Sequence, residues 1–114
     1  MGVYRLYTGD DRESRIGDLR LVDHPELRSL APAAGIMFRE APAGEFLDWH
    51  PAPRRQWVII LSGELEIGLG DGTLRRFGPG DARLVEDTTG KGHTTRVVGG
   101  GPCLAAYVPL GESR

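Results

Sequence analysis

Two histidines and a glutamine stand at the ends of predicted strands, where the side chains of a β-barrel meet. His50 ends one predicted strand, Gln56 begins the next, and His93 opens a strand directly after a glycine-rich loop. In a small barrel, inward-facing residues of adjacent strands converge on one cavity, and polar groups near its mouth are natural contacts for a ligand or a metal. We therefore take His50, Gln56 and His93 as candidate catalytic residues. Either histidine could serve as a metal ligand or a general acid or base, with Gln56 orienting a substrate.

The alternative for these residues is structural. Both histidines could be hydrogen-bonded groups inside the barrel, and a polar residue such as Gln56 often caps a turn at the start of a strand. The third histidine, His24, precedes Pro25 in a segment with no clear pattern, and we assign it no role.

Basic and aromatic residues flank the predicted loop between His50 and Gln56. Arg54 and Arg55 would ordinarily be solvated, but next to the mouth of a cavity they could hold an anionic group of a substrate. Trp49 is a further candidate substrate contact, although it could instead belong to the core. Trp57 alternates with its neighbour in the predicted strand, so it should face the other way and pack.

Other chemistries have less support in the sequence. Residues 88–92, TTGKG, lack the full phosphate-loop pattern and no helix follows them. We expect residues 87–93 to form a lid loop at the barrel mouth. Cys103 is the single cysteine, which excludes an internal disulfide and a cysteine-based zinc site and suits a reducing cytoplasm.

Short strands punctuated by turns should position these residues. The sequence has 17 glycines and 8 prolines, dispersed along the whole chain. No segment shows a sustained helical period. Such spacing predicts an all-β sandwich or barrel, whose closure removes exposed strand edges. The predicted strands cover residues 3–7, 36–39, 45–49, 56–61, 64–69, 73–77, 82–86, 93–98 and 103–108, and residues 99–102 are expected to close a hairpin.

Length and charge restrict the class of protein. The 114 residues fit one domain, residues 1–114. Charged residues make up 26% and the formal net charge is −2, which argues against a nucleic-acid or anionic-membrane partner. No apolar run reaches the length of a signal peptide or a membrane span. We expect a cytoplasmic protein that binds a small molecule.

Two glycine-framed motifs carry a resemblance to the cupin superfamily over about residues 35–108. The first cupin motif is Gly, five residues, His, one, His, three or four, Glu, six, Gly. This chain has the same spacing in Gly44, His50, Ala52, Gln56 and Gly63, with alanine in place of the second histidine and glutamine in place of the glutamate.

The second cupin motif is Gly, five residues, Pro, one, Gly, two, His. Here Gly80 is followed after five residues by Glu86, and Gly90 precedes His93 by two residues, with two extra residues before that glycine. The segment EDTTGKGH at 86–93 is similar to that of small single-domain bacterial cupins with no agreed activity. The resemblance implies a single-domain jelly-roll barrel with a short N-terminal strand extension.

The resemblance also implies a ligand set and a partner. Cupins bind Mn, Fe, Ni or Zn through three histidines and one carboxylate, of which this chain keeps His50 and His93, with Gln56 as a neutral substitute. An amide oxygen supplies no charge to offset a dication, so the site is depleted. Glu86, or Asp87 beside it, is a possible replacement ligand. Small cupins also commonly pair, so a homodimer is expected.

Three functions remain open at this point. The first is a small-molecule enzyme of the dioxygenase, isomerase or lyase/cyclase type. Bound metal would favour oxygen or Lewis-acid chemistry, and without metal His93 acting as a base is the leading mechanism. The second is a non-catalytic module that binds a small ligand beside a degenerate metal site. The third is a structural barrel in which the motif residues are relics.

Overall fold

The computed structural model describes residues 1–111 and is almost entirely β-structure, as the sequence predicts. Two short 3-10 helices, Leu21–Asp23 and Pro25–Arg28, lie in the N-terminal quarter. Neither helix within the described part of the chain is long or apolar enough to cross a membrane. The ten strands are β1 Val3–Thr8, β2 Ser14–Asp18, β3 Met37–Ala41, β4 Phe46–His50, β5 Gln56–Ser62, β6 Glu64–Gly68, β7 Leu74–Phe77, β8 Ala82–Val85, β9 His93–Val98 and β10 Cys103–Pro109.

Two sheets face each other in a jelly roll. One has the order β2-β1-β8-β5-β10-β3, and the other has the order β4-β9-β6-β7. From β4 onward the chain crosses between the sheets at every connection except the β6–β7 hairpin. The expected hairpin at residues 99–102 is therefore wrong, because this turn carries the chain from β9 in one sheet to β10 in the other. Gly63, with φ +80, allows the β5–β6 crossing to pass directly against the backbone of Pro102.

Alternation along the strands places the core between the sheets. In β5, Val58 and Ile60 are almost fully buried while Ile59 is only half-buried on the outer face. In β6, Leu65 and Ile67 are likewise almost fully buried. Each such side chain contributes about 1.5–3 kcal/mol through its burial, so the inner faces of the two sheets hold the barrel closed.

The N-terminal extension consists of β1, which the sequence predicts, and β2, which the sequence pattern did not reveal. β1 pairs with β8 in parallel and with β2 antiparallel. A turn in which Arg12 has φ 66 joins β1 to β2.

Trp57 of β5 faces away from the barrel interior, and it lines an outer depression together with Leu27. The prediction that Trp57 packs on the opposite face from Gln56 is therefore confirmed.

Candidate functional site

A cavity of about 400 Å³ lies between the sheets at one end of the barrel. The structure brings His50, Gln56 and His93 together on its wall, along with Arg54 and Ala52. The volume falls in the range of small-molecule sites, which is about 300–1,000 Å³. His50 and His93 share one cavity although they are 43 positions apart, because β4 and β9 are paired, and Gln56 joins them because it begins the facing strand β5.

Strand register explains the opposite wall. Val58 lies directly beside Arg83 on β8 and beside Tyr107 on β10, and Tyr107 lies beside Met37 on β3. Residues in one such row across a sheet point to the same face, and all four line the cavity. The sheet therefore presents a basic group, an aromatic hydroxyl and apolar surface in a single row.

His93 is fixed by a buried carboxylate. Asp87 is 0% exposed and its Oδ2 lies 2.5 Å from Nδ1 of His93, which is itself 5% exposed. The hydroxyl of Ser14 donates a second hydrogen bond to the same oxygen, at 2.6 Å. Because a carboxylate accepts, Nδ1 of His93 carries the proton and Nε2 is the nitrogen left for the cavity.

His50 faces His93 across the β4–β9 pairing. The two residues are paired in register, and their ring centroids are 4.7 Å apart. The backbone carbonyl of Asp48 lies 2.6 Å from Nδ1 of His50, and a carbonyl can only accept, so Nε2 of His50 is again the free nitrogen. The backbone of Gly92, next to His93, lies directly against the backbone of His50. Only glycine suits this position, since its φ is +81 and a Cβ there would overlap the backbone of His50.

Gln56 and Ala52 occupy the two positions where the chain departs from the cupin motif. Gln56 is 6% exposed, and its Oε1 has no hydrogen-bond partner within the described residues. Ala52 is buried and its backbone N–H donates to the carbonyl of Asp87 at 2.9 Å. Gln56 thus offers an unpartnered amide oxygen to a ligand. Ala52 instead holds the backbone of Asp87, whose carboxylate binds His93.

Arg83 is a cavity residue that the sequence pattern did not single out. It is 5% exposed, and its Nε and Nη1 have no hydrogen-bond partner within residues 1–111. Its guanidinium carbon lies 5.1 Å from the ring centroid of Phe77. Burial lowers the pKa of Arg83 to about 10, although Tyr107 and Asp87 act to raise it, so the group stays cationic at neutral pH. The available signal in the sequence was its spacing from Val85, because residues two apart in a strand face the same side of the sheet.

Three residues predicted for the site lie outside the cavity. Arg55 and Arg5 both bind the carboxylate of Glu86, at 2.6 Å in each ion pair. Partial burial acts to raise the pKa of Glu86, but these two hydrogen bonds outweigh it and leave the pKa below its ordinary value. Arg55 is therefore not free to hold a substrate in the cavity, and Glu86 is not available there as a metal ligand. Trp49 is 41% exposed and packs under Lys91, 4.2 Å from its ring centroid, instead of contacting a cavity ligand.

The loop at residues 87–93, predicted as a lid, contacts the N-terminal extension, and of its residues His93 alone lines the cavity. Its first residue is the buried Asp87, and Thr8 Oγ1 donates to the carbonyl of Thr89 at 3.1 Å. The N–H of Lys91 donates to the carbonyl of Arg12. The β1–β2 extension therefore clamps this loop and supplies Ser14 to the carboxylate behind His93.

The donor set does not fit a divalent metal. His50, His93 and Gln56 offer two neutral nitrogens and one neutral oxygen, and within residues 1–111 no group of three His, Cys, Asp or Glu side chains is arranged to hold a metal. No aspartate or glutamate in the described chain lines this cavity, whereas the cationic Arg83 does. Carboxylate–histidine pairs can orient metal-bound histidines, but here the remaining wall repels a dication.

Comparisons with solved structures report on the fold. No protein-family model and no curated protein matches the sequence. A Klebsiella pneumoniae protein with a double-stranded β-helix domain aligns with a TM-score of 0.51 and 22% identity, over 66% of this chain and 64% of that one, so the match spans less than two thirds of its length. A Rhizobium leguminosarum protein of unknown function aligns with a TM-score of 0.55 and 19% identity, over 86% of this chain and 99% of that one.

A conserved Streptococcus pyogenes protein of unknown function is a third similar structure, with a TM-score of 0.51 and 20% identity over 74% of this chain and 70% of that one. At these identities the likeness concerns the arrangement of strands and not the chemistry of the cavity. Together with the two facing sheets, it shows that this chain has a double-stranded β-helix fold, the fold that the resemblance to cupins implied.

Proposed function

We propose that this protein is a small-molecule enzyme of the proton-transfer class, an isomerase or lyase, in which His93 is the general acid and base. The observation that supports this most is the buried hydrogen bond between Asp87 and His93 at the cavity wall. A carboxylate in this position holds the imidazole in one tautomer and stabilises the imidazolium formed when the ring takes a proton. Oxygenase chemistry is not proposed, because the donor set does not fit a metal.

The proposed reaction starts at an acidic C–H next to a carbonyl. Nε2 of His93 takes the proton, and the electron pair of the C–H bond remains on the substrate as an enolate. Return of the proton to another position or face gives an isomer. Loss of a β-substituent from the enolate instead gives a lyase product, with the proton of His93 passing to the leaving group. Both routes balance without an added oxidant or reductant.

Two other side chains complete the proposed site. His50 presents its unprotonated Nε2 beside His93, so it can accept a hydrogen bond from the substrate or take a proton at a second position. Gln56 can accept a hydrogen bond from a substrate hydroxyl through its unpartnered Oε1. Asp87 acts through His93 and is a positioning residue.

Proton exchange tests this proposal without knowledge of the natural product. The protein is incubated in deuterated water with a panel of aldehydes, ketones and keto acids, and proton NMR follows the loss of C–H signals next to each carbonyl. We expect exchange on at least one compound, and a decrease of about 10²–10⁴-fold in His93→Gln. Asp87→Asn should shift the pH profile of the exchange as well as lower its rate, an effect that a purely structural role would not produce.

His24→Gln is the matched control, because His24 is partly exposed and lies outside the cavity. It should leave the exchange rate unchanged, and thermal unfolding identifies any variant that fails to fold. Undiminished exchange in both His93→Gln and Asp87→Asn would overturn the proposal. Ligand binding with no exchange on any compound would do so as well, in favour of a non-catalytic binding module.

A further inference from the structure

The charge of the cavity wall is one-sided. Arg39, Arg54 and Arg83 line it, and no acidic side chain of the described residues does. The three arginines are not equivalent. Arg39 is half exposed and its guanidinium makes two hydrogen bonds to the carboxylate of Glu45, at 2.8 and 2.9 Å. Arg83 is buried and has no such partner, so it is the one that leaves positive charge uncompensated deep in the cavity.

Asp87 is an acidic residue whose charge acts on Arg83, but the two side chains form no ion pair. Asp87 uses its Oδ2 for Ser14 and His93, and its Oδ1 is buried without a hydrogen-bond partner in the described chain. The guanidinium of Arg83 therefore keeps at least three N–H donors unsatisfied, one on Nε and two on Nη1. A buried charged group without hydrogen bonds is costly, and a bound anion would supply the contacts that Arg83 lacks.

The surroundings of Arg83 favour an organic anion with a single charge. Val58, Leu65 and Val85 contribute apolar surface to the same cavity, which suits the carbon skeleton of a small molecule. The neutral Gln56 and Tyr107 add hydrogen-bonding capacity but no charge. Arg54 also lines the cavity but is exposed to solvent, so Arg83 is the buried guanidinium of the site. A single buried guanidinium in such a setting matches a carboxylate, whereas a phosphate dianion would need more positive charge or a cluster of backbone N–H groups.

We infer that Arg83 binds the carboxylate group of a small organic acid and so holds the substrate against His93. As an identification of the substrate class, this inference rests on the proposed function, although binding of a carboxylate at Arg83 does not require catalysis. The bound carboxylate satisfies the free donors of Arg83, and a hydroxyl on the same molecule can donate to Oε1 of Gln56. The apolar wall then encloses the remaining carbon atoms.

Titration calorimetry with matched probes tests the inference. Acetate, pyruvate, lactate and mandelate provide carboxylates of increasing size, and mandelamide is the uncharged counterpart of mandelate. Inorganic phosphate and methyl phosphate test the alternative anion. We expect at least one carboxylate to bind with a Kd below about 10 mM. Mandelamide should bind more weakly than mandelate, and the phosphates should bind more weakly than the best carboxylate.

Variants then assign the binding to Arg83. Arg83→Met should raise the Kd of the best-binding carboxylate about 10- to 100-fold, as expected for loss of charge-assisted hydrogen bonds. Arg83→Lys should bind it more tightly than Arg83→Met does. Arg39→Met is the matched control, since the charge of Arg39 is already neutralised by Glu45, and it should change the affinity less than about threefold. Thermal unfolding confirms that each variant folds.

The outcomes separate this inference from the proposed function. Carboxylate binding that depends on Arg83 and persists in His93→Gln supports the inference even if no proton exchange is found. Exchange on neutral carbonyl compounds, with no carboxylate bound below about 10 mM, leaves the proposed function standing and overturns the inference. Equal affinity in wild type and Arg83→Met, or tighter binding of phosphate than of any carboxylate, also overturns it.

Discussion

Arg83→Met should make the free protein more stable while it removes the charge proposed to bind substrate. An arginine in an unfolded chain titrates at about 12.5, whereas burial lowers the pKa of Arg83 to about 10 in the fold. At about 1.4 kcal/mol per pKa unit, this gap corresponds to about 3 kcal/mol by which the buried charge destabilises the native state at pH 7. Methionine keeps an apolar contact with Phe77, but Asp87 loses a nearby positive charge. We therefore expect a gain of about 1–3 kcal/mol.

The pH dependence of this gain has a definite sign. Because the pKa of Arg83 is lower in the folded protein, the unfolded chain binds more protons between about pH 10 and 12.5, and the stability of the wild type rises with pH in that window. Below about pH 9 the full destabilisation is present. The gain in free energy of unfolding from Arg83→Met should therefore be constant from about pH 7 to 9 and should decrease by about 1 kcal/mol at pH 10.5.

Urea unfolding of both proteins at pH 7, 9 and 10.5, followed by tryptophan fluorescence, measures the effect. Arg39→Met removes a cation of the same type from an exposed ion pair, and it should change stability by only about 0–1 kcal/mol in the destabilising direction. If Arg83→Met instead lowers the free energy of unfolding by more than about 1 kcal/mol at pH 7, Arg83 has a compensating partner in the free protein. The argument for an unsatisfied guanidinium would then fail.

Four further predictions concern the frame of the site. Gly92→Ala should destabilise the protein by more than about 1 kcal/mol in urea unfolding and should disturb the His50 imidazole signals in NMR spectra, because a Cβ would overlap the backbone of His50. Glu86→Gln should cost about 1–3 kcal/mol at pH 7. The pKa of Glu86 is lowered in the fold, so this difference should shrink as the pH falls from about 4.3 through its folded pKa. Dialysis against a chelator should leave proton exchange unchanged, because no acidic group of residues 1–111 lines the cavity, and a loss restored by added metal would contradict the donor-set argument. A homodimer is expected because β3 is an open sheet edge with Phe38 63% exposed, and a monomeric mass in light scattering would contradict it.

Local pattern was sufficient to predict the strands from residue 36 onward, because turns rich in glycine and proline separate short runs of alternating apolar residues there. The same spacing placed His50, Gln56 and His93 near one cavity. β2 was not predicted, since Ser14 to Asp18 contains one apolar residue, Ile16, and owes its strand structure to pairing with β1. Turn residues alone also did not reveal that residues 99–102 cross between the sheets, because the same glycines suit a hairpin.

The missing parts of the site are long-range by nature. Ser14 reaches Asp87 across 73 residues of sequence, and nothing in the local pattern of either residue predicts that contact. Asp87 was weighed as a replacement metal ligand, whereas its burial behind His93 makes it the partner of that ring. Arg55 was expected at the cavity because it lies near the predicted mouth, and Glu86 because it flanks the loop that leads to His93. The two side chains instead form an ion pair with each other, which the sequence pattern does not reveal.

The departures from the cupin motif change the cavity in one direction. Ala52 and Gln56 stand where the motif has an imidazole and a carboxylate, and both differences weaken the attraction for a dication. Arg83, which is not a motif position, places a positive charge on the facing wall and acts in the same direction. A cavity without an anionic ligand leaves this buried guanidinium unsatisfied. The paired effects of Arg83→Met on stability and on carboxylate binding therefore test directly whether the cavity binds an anion.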